Sequence, residues 1–458
     1  MPAVAHSLPD IVHPLSSMVC VEPGFSAPAL HAWLAPLAEG KRLWIAYSGG
    51  LDSSVLLHAA ASLRGQLCCD LRAIHLDHGL HPQSADWAAH CRAVCAELRV
   101  PLTECRLALR RNRGESLEAV ARAERYRVFA GQLAPGELLA TAQHRDDQAE
   151  TLLLALLRGS GAHGLAAMPA IATLGAGQLI RPLLRFSRAQ LDAYARRQSL
   201  RWIDDPSNAD VGFDRNLLRQ RVLPLLRLRW PALEQTLARS AAHCAEAAEL
   251  LDGLADARLL GLSGSRPGTL SIDELRALPR AECRLVLRRW LARAGFRPPS
   301  SDRLRRILEE VLPAAADRVP LVAWSDCEVR RYRKDLFALA PLPPAPSSDS
   351  LPWDGLAPLH LPDGLGRLEL KTGASALREL EVCFRRPGLR CRVGDGPSRA
   401  LKQVFQQATI PGWLRPYVPL VMLDGQLGAV VGVAICDERL AGVRWRGHPW
   451  QDLALLRS

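Results

Sequence analysis

Six residues, Ser48-Gly49-Gly50-Leu51-Asp52-Ser53, stand where an apolar, β-rich run (RLWIAYS, 42–48) gives way to a helical one (SVLLHAAASL, 54–63). Two glycines let the backbone approach an anion closely. The start of the helix adds amides without intrahelical partners, and Ser48 and Ser53 add hydroxyl donors. This is a set of groups for phosphate. Asp52 is the odd member, because a carboxylate among phosphate-binding groups makes sense only with a cation between them. Asp52 is therefore assigned to a Mg²⁺ that accompanies ATP. A plain Gly-rich turn with a helix cap is the structural alternative. The kinase-type loop GxxxxGK[ST] does not apply: around Gly40-Lys41 it would need Gly at 35 and Ser or Thr at 42, where Ala35 and Arg42 stand.

A second constellation lies in TAQHRDDQAETLLLALL (141–157). Asp147 and Glu150 are three apart in the first turn of a helix, so they face one side together. They can hold an ammonium group or take its proton, although acids in a first turn are also favoured by the helix dipole alone. Asp146 reads as the helix cap, and His144 either lines a nucleotide pocket or ends a strand. His78 leaves a strand at the end where ligands of open parallel sheets sit. Arg215, Asn216 and Arg219 form an RNxxR pattern. His75, Asp77, His78 and His81 could suggest a metal, and twelve cysteines could suggest metal or disulfides. CxxC is absent, and the nearest pairs are Cys68/Cys69 and Cys91/Cys95. The cysteines are read as reduced, partly buried apolar groups, and no metal is assigned to the histidines.

The elements that must position these groups follow from the alternation of patterns. Strands at 42–48, 71–79, 101–109 and 137–144 alternate with helices at 54–63, 84–98, 115–133 and 146–158. That order implies an α/β fold, a parallel Rossmann-like sheet covered on both faces. After about residue 220 the pattern turns helical (231–255, 271–294, 301–312), and PLPPAPSSDSLP (341–352) breaks every regular structure. The last hundred residues mix short strands with a helix near 399–408. The expected organisation is an N-terminal extension (1–40), a catalytic domain (41–226), an α-rich middle domain (227–340), a linker (341–352) and a small α+β C-terminal domain (353–458).

Length and composition agree with this. A chain of 458 residues needs more than one core, and 48% hydrophobic with 23% charged residues excludes disorder as the main theme. Apolar runs such as 427–436 are too short to span a bilayer, and the first residues do not read as a secretory signal. A cytoplasmic, membrane-free protein is expected. The net charge of +11 comes almost wholly from arginine, since all but four of the 58 basic residues are arginine. Part of that bias is compositional; the net excess points to a polyanionic partner, with nucleic acid foremost. Residues 385–402 hold Arg385, Arg386, Arg390, Arg392, Arg399 and Lys402 against one acid, Asp395. A second dense set, Arg284, Arg288, Arg289, Arg293, Arg303, Arg305 and Arg306, is partly a solvated helix face.

The SGGLDS loop in its strand–loop–helix setting resembles the SGGxDS loop of the PP-loop, or N-type, ATP pyrophosphatases. Further segments resemble the tRNA(Ile)-lysidine synthases in order and spacing: HLDHGL (75–80), ESLEAVARAERYRVF (115–129), TAQHRDDQAETLLLALLRGSG (141–161), RPLLRFSRAQL (181–191), WIDDPSNADVGFDRNLLRQRVLPLL (202–226) and RRPGLRCRVGDGPSRALKQVFQQATIPGWLRPYVPL (385–420). The resemblance implies an enzyme that adenylates a cytidine in the first anticodon position of an isoleucine tRNA with a CAU anticodon. It then joins L-lysine there, changing decoding from AUG to AUA. It further implies that Ser48 to Ser53 and His78 bind ATP with Mg²⁺ on Asp52, that Asp147 and Glu150 recognise lysine, that Arg215 touches the substrate or its intermediate, and that Arg385, Arg386, Arg390, Arg392 and Lys402 grip the tRNA. Another PP-loop enzyme such as a tRNA thiolase, and a non-catalytic basic tRNA-binding protein, are the alternatives. The oligomeric state stays open, a homodimer included.

Overall fold

The computed structural model describes residues 24–77, 79, 82–107, 117–206, 210–315, 318–346, 350–371, 380–384, 386–394 and 396–450. The chain forms two compact units, Met1–Ala248 and Glu249–Ser458.

The first unit is built on a six-stranded sheet of order β3-β2-β1-β4-β6-β5. Its strands are β1 (Arg42–Ala46), β2 (Asp70–Asp77), β3 (Leu102–Arg106), β4 (Leu138–Ala140), β5 (Ile171–Leu174) and β6 (Gly177–Ile180). β1, β2, β3, β4 and β6 run parallel; β5 is an antiparallel edge strand, hairpinned onto β6. That hairpin departs from the all-parallel expectation. Alternate residues face opposite sides. Leu43, Ile45, Ala73, Leu138, Ala140 and Ile180 enter one core, and Trp44, Ile74, Leu76, Leu139 and Leu179 enter the other.

The helices α1 (Ala27–Ala38), α2 (Leu51–Ser62), α3 (Arg64–Leu67), α4 (Ser84–Glu97), α5 (Leu117–Gln132), α6 (Arg145–Leu157), α7 (Ala162–Leu165) and α8 (Arg188–Arg197) cover the sheet. α9 (Asp214–Leu217) runs through a π-turn, Leu218–Val222, into α10 (Leu223–Arg229). α1 lies in the stretch set apart above as an extension, yet its Leu30, Leu34 and Ala38 are fully buried in the first core. It is capped by Ser26, whose hydroxyl accepts from Ala29 N–H at 3.4 Å, with a proline in its first turn.

Strand order reverses between β1 and β4, because the chain steps from β1 to β2 and β3 on one side and to β4 and β6 on the other. This reversal is where open α/β sheets bind ligands. The loops that leave β1 and β4 there are Tyr47–Gly50 and Thr141–His144, so the two constellations of the sequence lie side by side.

In the second unit, helices α12 (Ile272–Ala277), α13 (Arg280–Arg293) and α14 (Ser301–Arg306) follow the long α11 (Leu233–Leu259). They pack with a four-stranded sheet of order β7-β10-β9-β8: β7 (Leu270–Ser271), β8 (Leu321–Trp324), β9 (Cys327–Tyr332) and β10 (Asp335–Leu339). The single helix expected over 271–294 is broken at Pro279, which caps α13. The expected linker is partly packed: Leu342 lies against the C-terminal core, and the Pro343 carbonyl accepts from Tyr417 O–H at 2.6 Å.

The C-terminal part holds a five-stranded antiparallel sheet of order β11-β14-β17-β18-β19. These are β11 (Leu351–Trp353), β14 (Leu380–Cys383), β17 (Leu420–Leu423), β18 (Gln426–Val430) and β19 (Ala434–Ile435). β12 (Leu359–His360), β13 (Arg367–Leu370) and β20 (Val443–Arg446) form a second sheet. The hairpin of β15 (Arg390–Cys391) and β16 (Arg399–Ala400) leads into α15 (Leu401–Gln407). Cys391 and Cys436 form a disulfide, a correction to the reading that the cysteines stay reduced. The partners are 45 residues apart and are brought together by the fold, which spacing alone does not reveal. Among the described residues, no helix is long and apolar enough to cross a membrane.

Candidate active site

The loop after β1 is shaped by Gly49. Its φ is +84°, and a Cβ there would lie 2.6 Å from Ile203 Cδ1 and 3.1 Å from Cys91 Sγ, so no other residue fits without displacement. The Gly49 carbonyl accepts from Ile203 N–H at 2.9 Å. α2 starts after Gly50, and its first ladder bond runs from Ser54 N–H to the Gly50 carbonyl at 2.9 Å. The amides of Leu51, Asp52 and Ser53 thus stand outside the helix's own ladder. Ser53 Oγ donates to the Gly50 carbonyl at 2.9 Å and lies 3.0 Å from Ser48 Oγ, so the two serines brace the loop as well as lining it. Asp52 Oδ1 is buried without a hydrogen-bond partner.

Across the sheet, His144 rather than Asp146 is the N-cap of α6, correcting the sequence reading. Its backbone N–H is satisfied by Asp147 Oδ2 at 3.1 Å. Asp146 instead accepts from Arg188 N–H at 2.9 Å and from Arg227 Nη2 at 3.2 Å. Arg227 in turn reaches Glu234 at 2.5 Å. The His144 ring, only 2% exposed, joins the two constellations. Its Nε2 lies 3.6 Å from Asp52 Oδ2 and 3.4 Å from Asp147 Oδ2, and its Nδ1 lies 3.6 Å from Asp146 Oδ2. Burial alone would lower its pKa; Asp147, Asp146 and Asp52 outweigh that and push it up to about 10. Burial raises the Asp146 carboxyl, but His144, the Arg188 amide and Arg227 together bring it down to about 2.

Asp147 and Glu150 face one side, as their spacing required, and meet Arg215 and Arg219. Glu150, 1% exposed, accepts from Arg215 Nε at 2.6 Å on Oε2 and from Arg219 Nε at 2.6 Å on Oε1. Arg219 Nη2 adds bonds to Glu150 Oε2 at 2.9 Å and Asp147 Oδ1 at 3.0 Å, whereas Arg215 reaches Asp147 only at 3.3 Å. Arg219 is therefore the fixed clamp and Arg215 the looser one. Sequence reading passed over Arg219 and Arg227 as site residues. The RNxxR spacing, which puts Arg215 and Arg219 on one helical face, was the available signal for the first; nothing local signalled the second.

His78 and Arg385 lie outside the described residues. His75 is buried in β2 with Nδ1 3.0 Å from the Tyr47 carbonyl, and Asp77 accepts from Gly79 N–H at 2.7 Å. In the second unit, Arg386, Arg390, Arg392, Arg399 and Lys402 are exposed around the β15–β16 hairpin. Arg390 braces the hairpin through the Ser398 carbonyl at 2.7 Å, and Arg386 stands 3.8 Å from Glu381. The helical set is different: Arg289 pairs with Asp252 and Asp256, Arg293 with Asp256, Arg305 with Asp302 and Glu309, and Arg306 with Glu310.

Three family models match the chain: a PP-loop domain over 26–226, a TilS substrate binding domain over 270–337 and a TilS substrate C-terminal domain over 380–447. The first begins at α1, in agreement with the burial of that helix. Among similar proteins, the tRNA(Ile)-lysidine synthase of Methylococcus capsulatus is 43% identical over 90% of this chain and 96% of its own. That of Coxiella burnetii is 40% identical over 93% and 95%, and that of Escherichia coli O157:H7 is 42% identical over 91% and 97%. With this extent of similarity, the chain belongs to the tRNA(Ile)-lysidine synthase family of PP-loop enzymes.

Proposed function

We propose that the enzyme ligates L-lysine to the cytidine in the first anticodon position of a tRNA(Ile) with a CAU anticodon, through an adenylated cytidine. The observation that carries this reading is the juxtaposition at the switch point: a phosphate loop after β1 and an acid pair after β4, with His144 between Asp52 and Asp147. The C2 oxygen of cytosine is a poor leaving group. Its attack on the α-phosphate of ATP expels pyrophosphate, bound by the amides of residues 51–53 and the two serines, and leaves the oxygen adenylated, so that it departs as AMP when the lysine amine bonds to C2. Asp52 Oδ1, a buried and unpartnered carboxylate oxygen beside those donors, fits a Mg²⁺ ion, which when bound supplies charge neutralisation for the phosphates.

The second half-reaction needs a neutral amine. Deprotonating lysine at pH 7 costs roughly 4 to 5 kcal/mol from its unperturbed pKa of about 10.4. Asp147 and Glu150 supply an acceptor for that proton. The more loosely held Arg215 gives up Glu150 Oε2 to the incoming ammonium and turns to substrate, while Arg219 keeps Glu150 in place. The exposed cations of 386–402 bind tRNA phosphates.

The test is incubation of the enzyme with ATP, tRNA bearing a CAU anticodon and radiolabelled lysine. Label in the RNA and pyrophosphate release together are the expected result. Pyrophosphate release without label in the RNA would favour a thiolase-type reaction, and binding without either would favour a non-catalytic protein.

A further inference from the structure

Arg181 follows β6, next to the exit of β4, and is 6% exposed. The acids next to it are matched: Glu150 by two guanidiniums, Asp146 by Arg227 and His144, Asp147 by Arg215, Arg219 and His144. Among the described residues, Arg181 has no carboxylate within ion-pair distance, its one side-chain hydrogen bond runs from Nη1 to the Pro169 carbonyl at 2.6 Å, and its Nε is buried without a partner. A buried guanidinium without a carboxylate partner is destabilising. The position is also rigid: Arg181 N–H donates to the Ala170 carbonyl at 2.8 Å. The neighbouring Met168 is held to α6 by Gln148 through two bonds, at 2.7 and 2.9 Å.

The geometry matters more than the charge. With Nη1 anchored on Pro169, the edge carrying Nε–H and Nη2–H makes no bond. This is the edge that receives a carboxylate or phosphate side-on, with two parallel hydrogen bonds. We infer that Arg181 binds an oxyanion of a substrate through its Nε/Nη2 edge. The inference rests on the ligase reading for the identity of that substrate. The α-carboxylate of the amino acid is the source that the layout favours. Phosphates have their own donors at the exit of β1, two strands and roughly 10 Å away along the sheet. Arg181 instead shares its end of the sheet with Asp147 and Glu150, which take the amino group.

The experiment compares the full-length enzyme with Arg181→Met and Arg181→Lys, measuring KM for lysine, ATP and tRNA, the preference for lysine over lysinamide, and thermal melting. For Arg181→Met, the KM for lysine should rise roughly 10- to 100-fold. KM for ATP and tRNA should stay within twofold, the preference over lysinamide should vanish, and the melting temperature should hold or rise, because an uncompensated charge is removed. Arg181→Lys, which keeps the charge but not the fork, should recover only part of the lysine affinity. A rise confined to ATP or to tRNA would keep the anion site and assign it to a phosphate. Unchanged KM values for all three, with a lower melting temperature, would make Arg181 a strut for 168–170 and overturn the inference. Wild-type enzyme that puts no label into tRNA would instead sink the ligase reading itself, before any variant is compared.

Discussion

Arginine is used in opposite ways in the two units. Arg215 and Arg219 of the first unit are spent on Asp147 and on Glu150, which is 1% exposed, and Arg227 on Asp146 and Glu234, at distances of 2.5–3.3 Å. The arginines of 386–399 in the second unit stand exposed, and among the described residues their polar contacts are to a serine, a glutamine and one glutamate at 3.8 Å. The same residue type thus fixes geometry where it meets buried carboxylates and offers charge where it does not. A net charge of +11 says nothing about which of these an arginine does. The helical set around Arg289 and Arg305 shows a third outcome, basic residues cancelled locally by acids on the surface.

The largest effect is expected where that difference is deepest. Asp52→Ala removes the residue assigned to the cation and one of three carboxylates around His144; pyrophosphate release should fall at least a hundredfold, measured in single turnover with saturating ATP. Glu150→Ala leaves Arg215 and Arg219 facing a buried gap. Loss of one partner from a buried ion pair costs about 3 to 5 kcal/mol, so a clear drop in urea midpoint should accompany loss of lysine transfer. Unchanged stability would mean that the clamp is not what holds α6. Gly49→Ala places a methyl group 2.6 Å from Ile203 Cδ1 at a φ of +84°. The left-handed backbone alone costs about 1 to 2 kcal/mol, and KM for ATP should rise with it while tRNA affinity is kept.

The two halves of the catalytic site differ in how far they could be read from sequence. SGGLDS and Asp147/Glu150 are local patterns: a turn that needs glycine, and a three-residue spacing in a first helical turn. Helix and strand periodicity placed both at strand exits, and the strand order then made them neighbours. The clamp on Glu150 comes from arginines 65 and 69 residues away, and no periodicity encodes that contact. α1 falls within the stretch expected as an extension, although its Leu30 and Leu34 have the four-residue spacing of a buried face. The β5–β6 hairpin, two four-residue strands around Gly175, was too short to stand out; Gly175 has a φ of +58°, and a Cβ there would meet the Ala130 carbonyl at 2.4 Å.

Smaller effects sharpen the contrast within the second unit. Arg386→Glu reverses an exposed charge, so tRNA binding should weaken and the slope of log affinity against log salt should become shallower. Each lost phosphate contact removes roughly 0.7 to 0.9 from that slope. An unchanged slope would remove 386–402 from the tRNA surface. Arg305→Ala is the control with the smallest expected effect. Its guanidinium is shared between Asp302 at 2.5 Å and Glu309 at 3.1 Å, all three groups being largely exposed. Exposed pairs of this kind contribute about 0 to 1 kcal/mol, and a charge neutralised by its own helix releases few counterions on binding a polyanion. Both stability and salt slope should therefore stay close to wild type. A salt slope that falls as far for Arg305→Ala as for Arg386→Glu would show that acids on the same helix do not withhold an arginine from RNA, and the division between the two stretches would then have to rest on position, not on pairing.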